Sequence, residues 1–291
     1  METRRVLTAS DGVNLVYRLS RRDRSGRRVL LLLHGANSNH TRWSELVETT
    51  ALAERWSILS PDLRGNGESQ TRRRHGMETW CSDLVEILDQ EGFAEALVVG
   101  HSLGAQIALH LERRSPERVC GLALIDPVFL PALRGKQGFY SRHPWLLKLA
   151  LAVVRSANAV GLHRRRIPHR DLRELDEETR RALGGEASFE VIAKRYGALG
   201  PVLRHMPVAN FLRQMIATVE PNPPLADVGV PVLVLLSTGI SFAELGVSVQ
   251  EVGRFPDGEL VLLDSNHWPL TETPDDVREA LEDWVDRRFP L

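Results

Sequence analysis

The sequence predicts an α/β fold in which a parallel sheet is covered by helices on both faces. Three observations predict it. Short apolar runs of strand character alternate with helix-period patterns along most of the chain. Most of those runs are bounded by Gly, Pro or Asp. A chain of 291 residues with 43% hydrophobic content can also bury a sizeable core without disulfide staples.

The strands are expected at residues 27–35 (RRVLLLLHG), 56–62 (WSILSPD), 95–101 (EALVVGH), 118–127 (RVCGLALIDP), 230–236 (VPVLVLL) and 258–264 (GELVLLD). Between the second and third, Trp80, Leu84, Ile87 and Leu88 repeat as one buried helix face would. Val277, Leu281, Trp284 and Val285 repeat likewise near the C-terminus, after Thr273 as the expected N-cap and Pro274 at the first helical position. Cys81 and Cys120 lie within regular elements and are expected as small buried thiols, which points to a reducing compartment.

Residues 130–222 break the alternation, with helical patterns and no convincing strand. They are read as an inserted helical lobe, which divides the chain into a core of residues 1–129 and 223–291 and a lobe of residues 130–222. Phe139, Tyr140, Trp145, Phe189, Tyr196, Met206, Phe211 and Met215 are expected mostly to form the lobe's own core. The lobe carries 16 Lys and Arg against 8 Asp and Glu, a balance of +8 in a chain of net charge −1. Nucleic acid is not the expected partner, because the basic clusters lack interleaved stacking aromatics. The N-terminal METRRVLTASDGVNLVYRL has no apolar run long enough for a signal peptide, and the run near WLLKLALAVV is too short to span a bilayer. A cytoplasmic protein without stable membrane insertion is expected; the oligomeric state is left open.

The chemistry concentrates at residues 97–109, LVVGHSLGAQIAL. A serine at a strand-to-helix junction can be held in a sharp turn that exposes its hydroxyl above the sheet edge, and such a turn needs small neighbours. Gly100 and Gly104 supply them around Ser102. The N–H of Leu103 then lies at the positive end of the following helix, where an oxyanion is stabilised.

Several motifs in order resemble the α/β-hydrolase family over nearly the whole chain. LLLLHGANSNHTRW is similar to its His-Gly loop, PDLRGNGES to its D-x-R-G-x-G-x-S loop, and SNHWPLTETPDDV to its catalytic histidine loop. The resemblance implies a mostly parallel eight-stranded sheet with residues 130–222 as a cap over the site. It implies Ser102 as nucleophile and His267 as base, with the Ala36 and Leu103 N–H groups as the oxyanion hole. Asn37, Phe129 and Trp268 are expected at the substrate, and Asp62, Arg64 and Ser69 are expected to fix their own loop. His34 and His101 are expected to pack and hydrogen-bond, while His40, His110, His143, His163, His169 and His205 read as surface or cap residues. No residue spacing suits a metal ion and no glycine loop suits a phosphate, so no cofactor is expected.

The acid departs from the family pattern. Where the pattern P-V-L-V-x-x-G-x-x-D places it, the chain reads PVLVLLSTGISFAE, with Ile240 at the acid position. Asp126, at the end of the strand after Ser102, is the leading candidate and Glu244 the second. The expected activity is cofactor-free hydrolysis of a small, largely apolar ester, lactone or thioester. The alternatives are a non-hydrolytic triad reaction (lyase, C–C cleavage, cyclisation or acyl transfer) and a ligand-binding protein that has lost catalysis.

Overall fold

Each strand segment expected from the sequence forms a strand of a single eight-stranded sheet. The computed structural model describes residues 2–22, 28–164, 166–183 and 199–290. The expected strands are β3 (Arg28–Leu33), β4 (Ser57–Pro61), β5 (Glu95–His101), β6 (Val119–Ile125), β7 (Val232–Ser237) and β8 (Gly258–Leu263). Two more, β1 (Thr3–Thr8) and β2 (Asn14–Ser20), precede them, and the order across the sheet is β1-β2-β4-β3-β5-β6-β7-β8. Strand β2 runs antiparallel to both β1 and β4, and the pairs from β4 to β8 are parallel. The strand pattern did not single out β1 because it is an edge strand, exposed along nearly its whole length, with no apolar face to bury.

The central strands are apolar along most of their length because both faces of the sheet are covered. Alternate residues sort into two cores. Val29, Leu31 and Leu33 of β3, Val98 of β5 and Leu122 and Leu124 of β6 pack on one side. There they meet Trp80, Leu84 and Ile87 of α2 (Met77–Glu91) and Ile107, Ala108 and Leu111 of α3 (Leu103–Arg114). Leu30, Leu32, Leu97, Val99, Ala123 and Ile125 face the other core. That core holds Leu46 of α1 (Ser44–Thr49) and Val277, Leu281, Trp284 and Val285 of the C-terminal helix Pro274–Arg288. Thr273 sits at the N-cap position of that helix, but its hydroxyl makes no cap hydrogen bond and is buried without a partner. The helix start rests instead on Pro274 and on Asp275 and Asp276 in the first turn.

Between β6 and β7 the chain leaves the sheet for α4 (Gly135–Arg142), α5 (Pro144–Ala159), α6 (Leu172–Leu183), α7 (Leu199–His205) and α8 (Val208–Thr218). Leu147 and Leu151 of α5 pack with Leu212, Met215 and Ile216 of α8, and with Val128 and Leu133, in a small separate cluster. Several aromatics expected in that cluster are elsewhere: Trp145 is 58% exposed, Phe139 45% and Tyr140 36%. Phe189 and Tyr196 lie outside the described residues. Past β7 come α9 (Leu245–Val252), α10 (Pro269–Glu272) and the C-terminal helix, α11. Cys81 in α2 is buried and Cys120 in β6 is partly buried, and both are unbonded. Burial pushes the two thiols up to about 12 and about 11. No helix among the described residues is long and apolar enough to cross a membrane.

Candidate active site

Strand β5 ends at His101 and α3 begins at Leu103, so Ser102 makes the whole turn by itself. Its φ of 52° and ψ of −115° lie where a side chain is strained, which a well-determined surrounding must hold in place. That surrounding is tight. A Cβ on Gly104 would fall 2.1 Å from the Leu33 carbonyl oxygen, and one on Gly100 would fall 2.4 Å from the Gly104 carbonyl oxygen. A Cβ on Gly35 would meet Ser102 Cβ at 3.4 Å, which lays the loop after β3 directly over the serine. The N–H groups of Ala36 in that loop and Leu103 at the start of α3 have no hydrogen-bond partner among the described residues.

His267 lies in the loop between β8 and α10. Its neighbour His101 is buried, and the His101 Nε2–H donates to the His267 carbonyl at 3.2 Å. Burial drives the His101 pKa down to about 3, with further lowering by His267. His101 is therefore neutral and holds the His267 loop rather than exchanging protons. His34 is neutral for the same main reason, its pKa pushed to about 4 by burial. Its Nε2 accepts from the Leu63 N–H at 3.0 Å, and its Nδ1 lies 2.8 Å from the Gly35 carbonyl.

Asp126 follows β6 with φ 44°, and its backbone N–H donates to the Leu235 carbonyl at 2.8 Å. Its Oδ2 stands 3.4 Å from His267 Nδ1. The carboxylate also accepts from the Ser237 N–H at 2.8 Å, and the Ser237 hydroxyl, 2.7 Å from Oδ2 and 2.6 Å from the Asn266 carbonyl, shares its one proton between the two. Burial works to raise its pKa, but the interaction with His267 and the two Ser237 bonds outweigh it and hold the group below the ordinary carboxylate value. Ser241 Oγ also lies 3.4 Å from His267 Nδ1, so the ring nitrogen is flanked by a carboxylate and a hydroxyl. Glu244 is not brought to His267: it precedes α9, nearly half exposed, and pairs with Arg134. Ile240 is 57% exposed, with its N–H donated to Asn266 Oδ1.

A small cavity of about 20 Å³ opens beside this group, bordered by Asp126, Val128, Leu133, Ser241, Phe242 and His267. Phe242 stands edge-on to the His267 ring at 4.8 Å. Phe129, expected at the substrate, is 1% exposed and belongs to the main core; Val128, one residue earlier, borders the cavity instead. The alternation of a short extended segment explains this, since neighbours face opposite ways. Trp268 is 8% exposed and stacks edge-on against Phe242 and His267, away from the cavity lining. Asn37, at φ 58°, donates its N–H to Gln214 of α8 at 2.7 Å. Its Oδ1 is buried without a partner, and it borders a second cavity with Ser38, His169 and Arg170.

The loop after β4 is a structural clasp, as expected. Arg64 bonds Asp83 and Asp11, Ser69 Oγ accepts from the Val16 N–H, and Asp62 accepts from the backbone N–H groups of His40 and Glu68. His40 is buried, 2.8 Å from Asp62 through Nδ1, and is not the surface residue that its isolation in the sequence suggested. His40, Asp62 and Glu68 bring ligand-type atoms within 4.8 Å of one another. Glu68 is already paired with Arg4 and Arg18, at 2.8 and 2.6 Å, so this cluster is a hydrogen-bond and ion-pair network.

Ser237 and Ser241 did not stand out in the sequence. A signal was present, because Ser237 occupies the glycine of the family pattern three residues before Ile240. Position 240 offers no acid, and the serine at 237 meets the Asp126 carboxylate beyond the neighbouring strand.

With this architecture the chain belongs to the alpha/beta hydrolase family, whose model matches residues 30–280. Among individual proteins it is similar to a putative carbamate hydrolase of Caulobacter vibrioides, 32% identical over 104 residues, or 35% of this chain. That match spans only 38% of the relative's length. A pimeloyl-[acyl-carrier protein] methyl ester esterase of Aromatoleum aromaticum is 28% identical over 260 residues, covering 88% of this chain and 97% of that one. Among solved structures, a serine hydrolase from Cycloclasticus zankles shares the fold with a TM-score of 0.69 at 20% identity, with 100% of each chain covered. Hydrolases and esterases are thus among its relatives.

Proposed function

We propose that this protein is a serine hydrolase that cleaves a small, largely apolar carboxylic ester, lactone or thioester. Ser102 Oγ attacks the carbonyl carbon while His267 takes the hydroxyl proton. The negative charge that develops on the carbonyl oxygen is received by the Ala36 and Leu103 N–H groups. Collapse of the tetrahedral species breaks the bond to the leaving alcohol or thiol, which takes the proton back from His267. Water, deprotonated by the same ring, then releases the acid from Ser102. Asp126 keeps the Nδ1 proton of His267 facing the carboxylate and stabilises the imidazolium. No step calls for a cofactor.

The observation that carries this reading is the conformation of Ser102, a strained non-glycine turn at the sheet edge, next to the Leu103 N–H, which has no partner among the described residues. The 3.4 Å from Asp126 to His267 is long for a charge-assisted bond, as is common before substrate binds. Val128, Leu133 and Phe242 make the wall beside Asp126 and His267 largely apolar, in keeping with an apolar substrate. The helical segment of residues 130–222 serves, in this reading, as a cap on a core of residues 1–129 and 223–291. Gln214 of that segment touches the oxyanion loop at Asn37.

A panel of p-nitrophenyl esters and lactones tests the reading. Turnover by the native chain, lowered roughly 10³-fold or more in Ser102→Ala, is the expected result. Tight binding without turnover would instead make the chain a ligand-binding member of its fold.

A further inference from the structure

Helix α5 is apolar on two faces, and only one of them is packed. Leu147 and Leu151 face the cluster shared with α8. On the other side Trp145, Leu149 and Val153, spaced four residues apart, are 58%, 56% and 63% exposed. Val160 and Leu162, just beyond the end of the helix, prolong the stripe at 75% and 72% exposure. Three large apolar side chains at this spacing form a continuous ridge, unlike the scattered apolar residues of an ordinary surface.

The charge that this stretch of chain carries has one sign, and the nearby carboxylate is Glu220, which faces Lys148 from beyond α8 and is partly buried. Residues 130–170 contain nine Lys and Arg and no Asp or Glu. Arg142, Lys148 and Arg155, all exposed, lie on α4 and α5 beside the ridge. A solvated helix normally mixes both signs on its polar flanks. A tryptophan and aliphatic ridge with predominantly cationic flanks matches the interface between headgroups and acyl chains of an anionic bilayer. At 16 residues α5 is about 24 Å long, short of the roughly 30 Å hydrocarbon core. With its other face packed on α8, it can only lie in the plane of the surface.

We infer that the exposed face of α5, with Val160 and Leu162, docks the protein on anionic lipid surfaces. Apolar insertion of Trp145, Leu149 and Val153 supplies one part of the attachment, and attraction of Arg142, Lys148 and Arg155 to the headgroups supplies the other. A single short ridge gives reversible, salt-sensitive binding rather than insertion. The docking is independent of the chemistry assigned to Ser102.

The tryptophans make the test direct. Trp43, Trp56, Trp80, Trp268 and Trp284 are each 8% exposed or less, so Trp145 is the one tryptophan that a lipid can reach. The full chain is mixed with vesicles of phosphatidylcholine alone or with phosphatidylglycerol added, and flotation and quenching by bromine-labelled acyl chains are measured. The expected result is flotation only with the anionic vesicles, weakened by salt, with quenching that disappears in Trp145→Leu. Trp145→Ser/Leu149→Ser/Val153→Ser should lose about tenfold or more in partitioning while nearly keeping its melting temperature, because the three side chains are more than half exposed. Three results would overturn the inference. One is no flotation with either vesicle. Another is flotation unaltered by the triple substitution. The third is a native dimer that the triple substitution converts to monomer without any vesicle binding, which would make the ridge a self-association surface.

Discussion

Ser237 meets the carboxylate of Asp126 twice, through its N–H at 2.8 Å and through its hydroxyl at 2.7 Å, whose proton the Asn266 carbonyl shares. It thereby fixes the oxygen that faces His267 across the gap between β6 and β7. Ser237→Ala removes the hydroxyl and keeps the backbone bond. We expect kcat to fall roughly tenfold with KM little changed, the size of one hydrogen bond to a charged group. The carboxyl pKa should also rise, moving the acidic limb of the kcat–pH profile to higher pH, and Ser237→Thr should restore both. A residue that only packs would lower the melting temperature without moving that limb.

Gly104 should tolerate no side chain. Its Cβ position lies 2.1 Å from one carbonyl oxygen and 2.9 Å from another, both backbone atoms of the strand end and loop beside Ser102. Gly104→Ala must push α3 away from β3, at a cost of about 1–3 kcal/mol in chemical denaturation, and should displace the Leu103 N–H and so lower kcat. Gly200→Ala, where a Cβ meets nothing within 4 Å, is the control and should cost less than about 0.5 kcal/mol.

Arg42, before α1, ties α6 to the histidine loop. Its Nη1 lies 2.6 and 2.7 Å from the two carboxylate oxygens of Asp176 on α6 and 2.6 Å from the Thr271 hydroxyl on α10, with the pair almost wholly buried. Asp176→Ala removes a bidentate carboxylate from a buried cation and should cost about 3 kcal/mol in a urea titration. The half-exposed pair of Arg180 with Glu45 nearby should cost under about 1 kcal/mol when Glu45 is replaced by Ala.

Stability should fall on mild acidification. His34 and His75 are buried, and burial lowers each from 6.5 to about 4. Between those values the unfolded chain binds protons that the folded chain refuses, so stability present above pH 6.5 is lost as pH drops toward 4. The loss is at most about 3 kcal/mol per histidine. Asp62 and Asp126, held below the ordinary carboxylate value, add their own loss only as pH falls below about 4. Urea midpoints at pH 7, 5.5 and 4.5 check this, and a midpoint constant over that range would contradict it.

The sheet was legible where strands are buried on both faces, because continuous apolar runs such as Leu30–Leu33 admit few other readings. It was illegible at β1, whose polar edge looks like any exposed segment. The turn at Ser102 could be read because glycine is required for close approach on both sides of it. The partners of Asp126 could not. Ser237 and Ser241 act only through contacts across strands, and a serine at a strand end carries no local mark of its partner. Phe129 and Val128 show the same limit at a single step, since only the direction of the chain beyond β6 decides which of two apolar neighbours reaches the cavity. Exposure of Trp145 was hidden for a similar reason, because α5 is apolar enough on both faces to pass for a buried helix.

Asp126 is the residue on which the proposed triad rests most heavily, since position 240 supplies no acid. Asn at position 126 preserves the shape but not the charge that holds the His267 tautomer. Steady-state kcat on an accepted ester, measured for Asp126→Asn and Glu244→Gln beside the native chain, tests this directly. The account predicts a fall of roughly 10³ to 10⁴ for Asp126→Asn and less than about threefold for Glu244→Gln. Activity retained within about threefold in Asp126→Asn would contradict it.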